Sequence, residues 1–110
     1  MNKENLLKWA DALESGRYQQ TQGSYGCGFE DDKNEFCCLN VAYHTFSGVG
    51  YFGRERQKVS DMRHFMKETF GICDYSPFVF MNDDKRFSFN KIAKEIRKLA
   101  AGEENAIQGR

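Results

Sequence analysis

The 110-residue chain has a single proline, no excess of either charge and no long apolar run. One proline excludes a proline-rich extended linker. Sixteen basic residues against sixteen acidic ones leave no net charge, which argues against whole-surface binding to duplex nucleic acid or an anionic membrane, since both need a positive excess. The absence of an apolar stretch near the roughly 18 residues of a membrane span predicts a chain without a membrane partner. The opening residues Met1-Asn2-Lys3-Glu4-Asn5 lack the apolar segment of a secretory signal, so an intracellular, cytoplasmic protein is expected. In such a compartment the four cysteines, Cys27, Cys37, Cys38 and Cys73, are expected as free thiols.

The familiar catalytic and metal-binding patterns are also missing. No CxxC pair, HExxH, phosphate loop or glycine-serine elbow occurs. Cys38 and His44 stand six residues apart, off a common helical face, so no metal site and no cofactor are expected. The carboxylate pairs Asp31-Asp32 and Asp83-Asp84 read as turn charge, and the chain is not expected to be an enzyme.

What the chain does hold is aromatic mass. Ten Phe, five Tyr and one Trp make 15% of the residues while hydrophobic residues total only 40%, so a few large side chains must build the core. The length suits one compact domain, expected over residues 1–102, with 103–110 as a flexible tail.

Local spacing predicts the elements. Leu6, Leu7, Ala10 and Leu13 form a helical stripe after an Asn2 cap, with Gly16 as the stop. Arg17 to Gln22 reads as an exposed strand entering a loop rich in glycine (Gly23, Gly26, Gly28) whose acidic tip, Glu30 to Asp32, closes a long β-hairpin. Glu35 to Leu39 is the expected return strand, with the switch to a short helix near the cysteine pair. Val59, Met62, Met66 and Phe70 predict another helix ended by Gly71. Phe78 to Met81 fits either a strand or a helical turn. Ser88 caps a last helix, with Phe87 and Ile92 as a hydrophobic staple and Ile92, Ala93, Ile96, Leu99 and Ala100 as the buried stripe. The expected fold class is therefore α+β: a small single domain with an N-terminal helix, a long β-hairpin and two or three further short helices.

Groups suited to a nucleotide-like ligand concentrate between Arg17 and Cys38. Arg17 can fork onto a phosphate, Gln20 and Gln22 offer donors and acceptors, and Tyr18, Tyr25 and Phe29 offer stacking faces. Tyr51, Phe52, Arg54 and Arg56 repeat the composition. Ordinary polar loops anchored by aromatics are the simpler account of the residue types alone.

The order and spacing of several segments add to this. Trp9, Ser15-Gly16-Arg17-Tyr18-Gln19-Gln20, Gly23, Phe36-Cys37-Cys38-Leu39-Asn40-Val41, Asn82-Asp83, Phe87-Ser88-Phe89 and Ile92-Ala93 together resemble a family of small proteins carried by tailed bacteriophages. Asn40 stands where that family has glycine, Met81 where it has leucine, and the segment from Gly48 to Pro77 matches poorly. The resemblance implies a phage protein acting in the host cytoplasm, and among such small proteins a counter-defence role. It adds Asn82 and Asp83 to Arg17, Tyr18 and Gln20 as polar site positions.

The expected function is non-catalytic sequestration of a nucleotide-derived immune second messenger, an ADP-ribose derivative or a cyclic oligonucleotide. The ligand-binding set is Arg17, Tyr18, Gln20, Gln22, Tyr25, Asn82 and Asp83. A ligand of this size is readily buried at a subunit boundary, so a homodimer or larger homo-oligomer is an expected arrangement. Two alternatives stand beside it: inhibition of a host factor by direct protein contact, and a small nucleic-acid module using Arg86, Lys91, Lys94, Arg97 and Lys98. Zero net charge makes nucleic acid the less expected partner.

Overall fold

The computed structural model describes residues 2–20, 35–47 and 59–102. In chain order these form α1 (Lys3–Glu14), β1 (Gln19–Gln20), β2 (Glu35–Phe36), α2 (Cys38–Ser47), α3 (Val59–Phe70), the single turn α4 (Ser76–Val79), a π-helical turn (Phe80–Asp84) and α5 (Phe89–Ala100). The architecture is helical. The expected α+β fold built on a long β-hairpin is not what forms: the two strands have two residues each and pair in parallel, Gln19 with Glu35 and Gln20 with Phe36. A hairpin turn joins antiparallel strands, whereas parallel strands need a long connection. The polar run after Gln20 provides that connection in residues 21–34. The acidic tip, Tyr25 and the glycines assigned to the hairpin lie outside the described residues, as do the proposed tail and the Tyr51 to Arg56 group.

Helix ends follow local chemistry closely. The Asn2 side chain accepts from the Asn5 N–H at 3.0 Å, satisfying one of the unpaired donors of the first turn. Gly71, at φ 78°, lets the chain turn back, so that its N–H donates to the Lys67 carbonyl at 2.9 Å and that of Ile72 to the Met66 carbonyl at 3.3 Å. The same corner holds α1 in place: the Asn2 N–H donates to the Phe70 carbonyl at 2.9 Å, and Asn5 Nδ2 to that of Thr69 at 2.8 Å. Ser88 accepts from the Lys91 N–H at 3.2 Å and caps α5 as its position predicts.

α1 packs chiefly along α5. Leu6, Ala10 and Leu13 of α1, with Ile92, Ala93, Ile96 and Leu99 of α5, belong to one buried cluster. On the outside of this contact Arg97 binds both Asp11 and Glu14 of α1.

The aromatic residues fill the remaining volume. Trp9 is fully buried. It stacks on Phe70 at 4.8 Å between centroids and meets Phe78 at 5.0 Å. Phe46 and Phe65 then meet Phe70 edge-on, and Tyr43 meets Phe65. Such pairs add about 0.5–1.5 kcal/mol each beyond area burial. A continuous aromatic seam thus joins α1, α2, α3 and α4, which is how a chain with few aliphatic residues closes its core.

The cysteines depart from expectation. Cys38 and Cys73 are free, but Cys37 is disulfide-bonded. The expectation of free thiols came from compartment alone, which carries no information about which sulfurs the fold brings together.

The indole Nε1 of Trp9 donates to the buried carbonyl of Cys38 at 3.0 Å. Trp9→Phe removes that donor and leaves both a void and an unsatisfied carbonyl. Chemical denaturation should show a loss of about 2–4 kcal/mol, whereas Leu7→Ala, on the exposed side of the same helix, should stay within about 0.5 kcal/mol.

Candidate functional site

Two polar clusters arise where β1 meets the helical frame, and they differ in how their atoms are committed. The first is internal. Gln20 Nε2 donates to Asn82 Oδ1 and to the Phe87 carbonyl, both at 2.9 Å, and Gln20 Oε1 accepts from the Phe89 N–H at 3.2 Å. Both amide hydrogens of Gln20 are therefore used. Asn82 Oδ1 accepts a second bond from the Cys38 N–H at 3.2 Å, and Asn82 Nδ2 donates to Asp83 Oδ1 at 2.7 Å. Asn82 and Asp83 are only 1% and 3% exposed. Asn40, also buried, lies in the first turn of α2.

The π turn makes this cluster possible. Widening the helix by one residue at Phe80–Asp84 places Met81, Asn82 and Asp83 together on the buried side. The turn closes when the Lys85 N–H donates to the Phe80 carbonyl at 2.9 Å and the Phe87 N–H to that of Met81 at 2.8 Å. Arg86 sits between them at φ 55°, in the left-handed region that glycine usually occupies.

Cys38 shares this interior. Its thiol donates to the Phe78 carbonyl at 3.4 Å. Burial first, and the nearby Asp83 carboxylate second, push its pKa well above the ordinary thiol range. A thiol held protonated in this way is a poor nucleophile.

The second cluster is at the surface. Ser15 and Gly16 end α1: the Ser15 hydroxyl donates to the Ala12 carbonyl at 2.7 Å and accepts from the Arg17 N–H at 3.2 Å, with Gly16 at φ 81°. Arg17 leaves this turn exposed, its guanidinium 5.6 Å from the Tyr18 ring centroid. Tyr18 is half-buried, edge-on to Phe36 at 4.9 Å and to His44 at 5.6 Å. Its hydroxyl lies 2.8 Å from His44 Nδ1 and 3.5 Å from Thr45 Oγ1. With the phenol donating to Nδ1, a neutral imidazole carries its proton on Nε2, which is then a donor.

The structure thus brings Gln20, Asn82 and Asp83 together, and it brings Arg17 and Tyr18 together with His44, which the sequence points to only through its spacing from Cys38. Gln22 and Tyr25 lie outside the described residues. His44 has no sequence signal of its own, because its link to Tyr18 crosses 26 positions. Among the described residues no group of three His, Cys, Asp or Glu side chains is arranged to hold a metal ion, and no helix is long and apolar enough to cross a membrane.

The basic stripe of the nucleic-acid alternative divides in two. Arg97 is held by Asp11 and Glu14, and Lys98 lies 3.4 Å from Glu95. At the other end of α5 the Lys91 ammonium sits 4.7 Å from the Phe87 ring centroid, and Lys94 is exposed. The chain matches no protein-family model, no curated protein and no solved structure.

Because Gln20 and Asn82 share one bond, and each steadies the other on its own backbone partners, their losses should overlap. Gln20→Ala and Asn82→Ala should each cost about 1–3 kcal/mol by urea denaturation. The double variant should fall short of their sum by about 0.5–3 kcal/mol.

Proposed function

We propose that the protein is a non-catalytic binder of a nucleotide-derived, phosphate-bearing small molecule, held at the edge formed by Arg17, Tyr18 and His44. The observation that carries this reading is the fixed orientation of Tyr18. Phe36 and His44 hold the ring edge-on while Arg17 supplies an exposed guanidinium directly beside it. A guanidinium forks onto phosphate oxygens, an aromatic face accepts a base, and an imidazole N–H donates to a phosphate or carbonyl oxygen. These three functions within one short edge suit a ligand that carries both a charge and a π surface.

Binding without turnover is the simplest use of such groups. The Cys38 thiol, on the helix that carries His44, is buried and held protonated, and the carboxamides of Gln20 and Asn82 are bonded to one another. Gln20 and Asn82 act in this reading as the mount behind β1, setting where Arg17 and Tyr18 stand. The resemblance to small tailed-phage proteins supplies the biological setting: capture of an ADP-ribose derivative or cyclic oligonucleotide that signals in bacterial immunity.

Calorimetric titration with ADP-ribose and with a cyclic dinucleotide tests this directly, followed by denaturation and chromatography of the released ligand. The expected result is stoichiometric binding of at least one of them and its recovery unchanged. Arg17→Ala should weaken that binding by about tenfold or more, the scale of one charge-assisted contact, with a melting temperature within a few degrees of the parent. Recovery of a cleaved product, or an Arg17→Ala variant that loses stability and keeps its affinity, would overturn the proposal.

A further inference from the structure

A different surface, at the corner between the π turn and α5, carries its own chemistry. Residues 85–94 hold Lys85, Arg86, Lys91 and Lys94 and no carboxylate. All four are exposed. Phe80 is 39% exposed, one of two large hydrophobic side chains so exposed among the described residues. The Lys85 ammonium lies between two rings, 5.6 Å from the centroid of Phe80 and 5.7 Å from that of Phe87, and Lys91 approaches Phe87 as well. Two carboxylates flank this stretch, the exposed Asp84 and Glu95, which is paired with Lys98, while Asp83 is turned inward.

Arg86 provides a second, independent observation. It occupies a left-handed backbone conformation at φ 55°, where a side chain is strained and glycine is not. A stabilising role would be served better by glycine, so the strain points to use of the guanidinium.

From these groups we propose that the Phe80–Lys85–Arg86–Lys91 corner binds single-stranded nucleic acid, with a base stacked on Phe80 and phosphates on Lys85, Arg86 and Lys91. Single-strand sites combine stacking rings with cations that follow the backbone, and this corner has both, on the π turn, the link after it and the first turn of α5. A lysine over an exposed ring gains little, whereas a stacked base gains more. Insertion of a base displaces the Lys85 ammonium from Phe80 and frees it for a phosphate. An acidic peptide would meet the cations but leave the exposed ring unused. The corner is separate from the Arg17–Tyr18–His44 edge, so this proposal stands or falls independently of that reading.

Fluorescence anisotropy of a short labelled oligothymidylate with the full-length protein tests it. Binding should weaken as salt rises from about 50 to 200 mM, with a logarithmic slope of about −2 for three phosphates contacted. Phe80→Ala should reduce affinity by about 5- to 100-fold, and Lys85→Gln should make the slope shallower by about 0.7. Arg86→Gly gives the sharpest contrast: affinity falls several-fold while the melting temperature rises by a few degrees. Arg17→Ala should leave oligothymidylate binding intact. Three results would each overturn the proposal: no salt-dependent binding, equal affinity for duplex and single strand, or affinity untouched by Phe80→Ala and Arg86→Gly. Association with anionic vesicles in place of the oligonucleotide would assign the corner to a lipid surface and overturn it equally.

Discussion

The backbone of Cys38 is the point where the fold is tied together. Its carbonyl accepts from the Trp9 indole of α1, its N–H is taken by Asn82 of the π turn, and its thiol reaches the Phe78 carbonyl of α4. Three elements distant in sequence thus converge on the first residue of α2. All three bonds are buried, where an unmatched donor or acceptor costs about 1–3 kcal/mol, so none can be given up cheaply. The position of α2 against α1 and the depth of the π turn follow from this arrangement, and so does the presentation of His44 two turns along α2.

Around that point the polar groups divide by commitment. Gln20, Asn82 and Asp83 are bonded within the interior and hold β1 against the start of α5. Arg17, Tyr18 and His44 stand on the outward part of the same region. Tyr18 lies just before β1 and Gln20 ends it, so only two positions along the chain separate the side chain bonded inside from the one at the surface. That short lever is the physical basis for treating Gln20 and Asn82 as positioning residues. The basic corner at Lys85 and Arg86 begins on the far side of the same node, because the Phe87 carbonyl and the Phe89 N–H are both held by Gln20.

Much of the helical frame was legible from local sequence. The Asn2 and Ser88 caps, the stops at Gly16 and Gly71 and the apolar spacing of α1, α3 and α5 are encoded within a few residues of where they act. The hairpin was not legible. Gln19-Gln20 and Glu35-Phe36 each have too little length for a period-two pattern, and their parallel pairing depends on side-chain bonds from Gln20 to residues more than 60 positions away. The π turn hid in a short apolar run that fits several conformations. Site residues divided the same way. Arg17 and Tyr18 could be suspected from type and neighbours, while the inward use of Gln20, Asn82 and Asp83 and the arrival of His44 beside Tyr18 are tertiary facts.

The central claim is that one polar set is committed inside the frame while its neighbour remains available to a ligand. Nuclear magnetic resonance tests it most directly, by following the side-chain amide signals of Gln20 and Asn82 together with the Arg17 and His44 signals during titration with the nucleotide that binds. The account predicts that Arg17 and His44 shift with saturation while the two amide groups stay in place and exchange slowly with solvent. Large shifts at the Asn82 and Gln20 amides, with Arg17 and His44 unmoved, would contradict it.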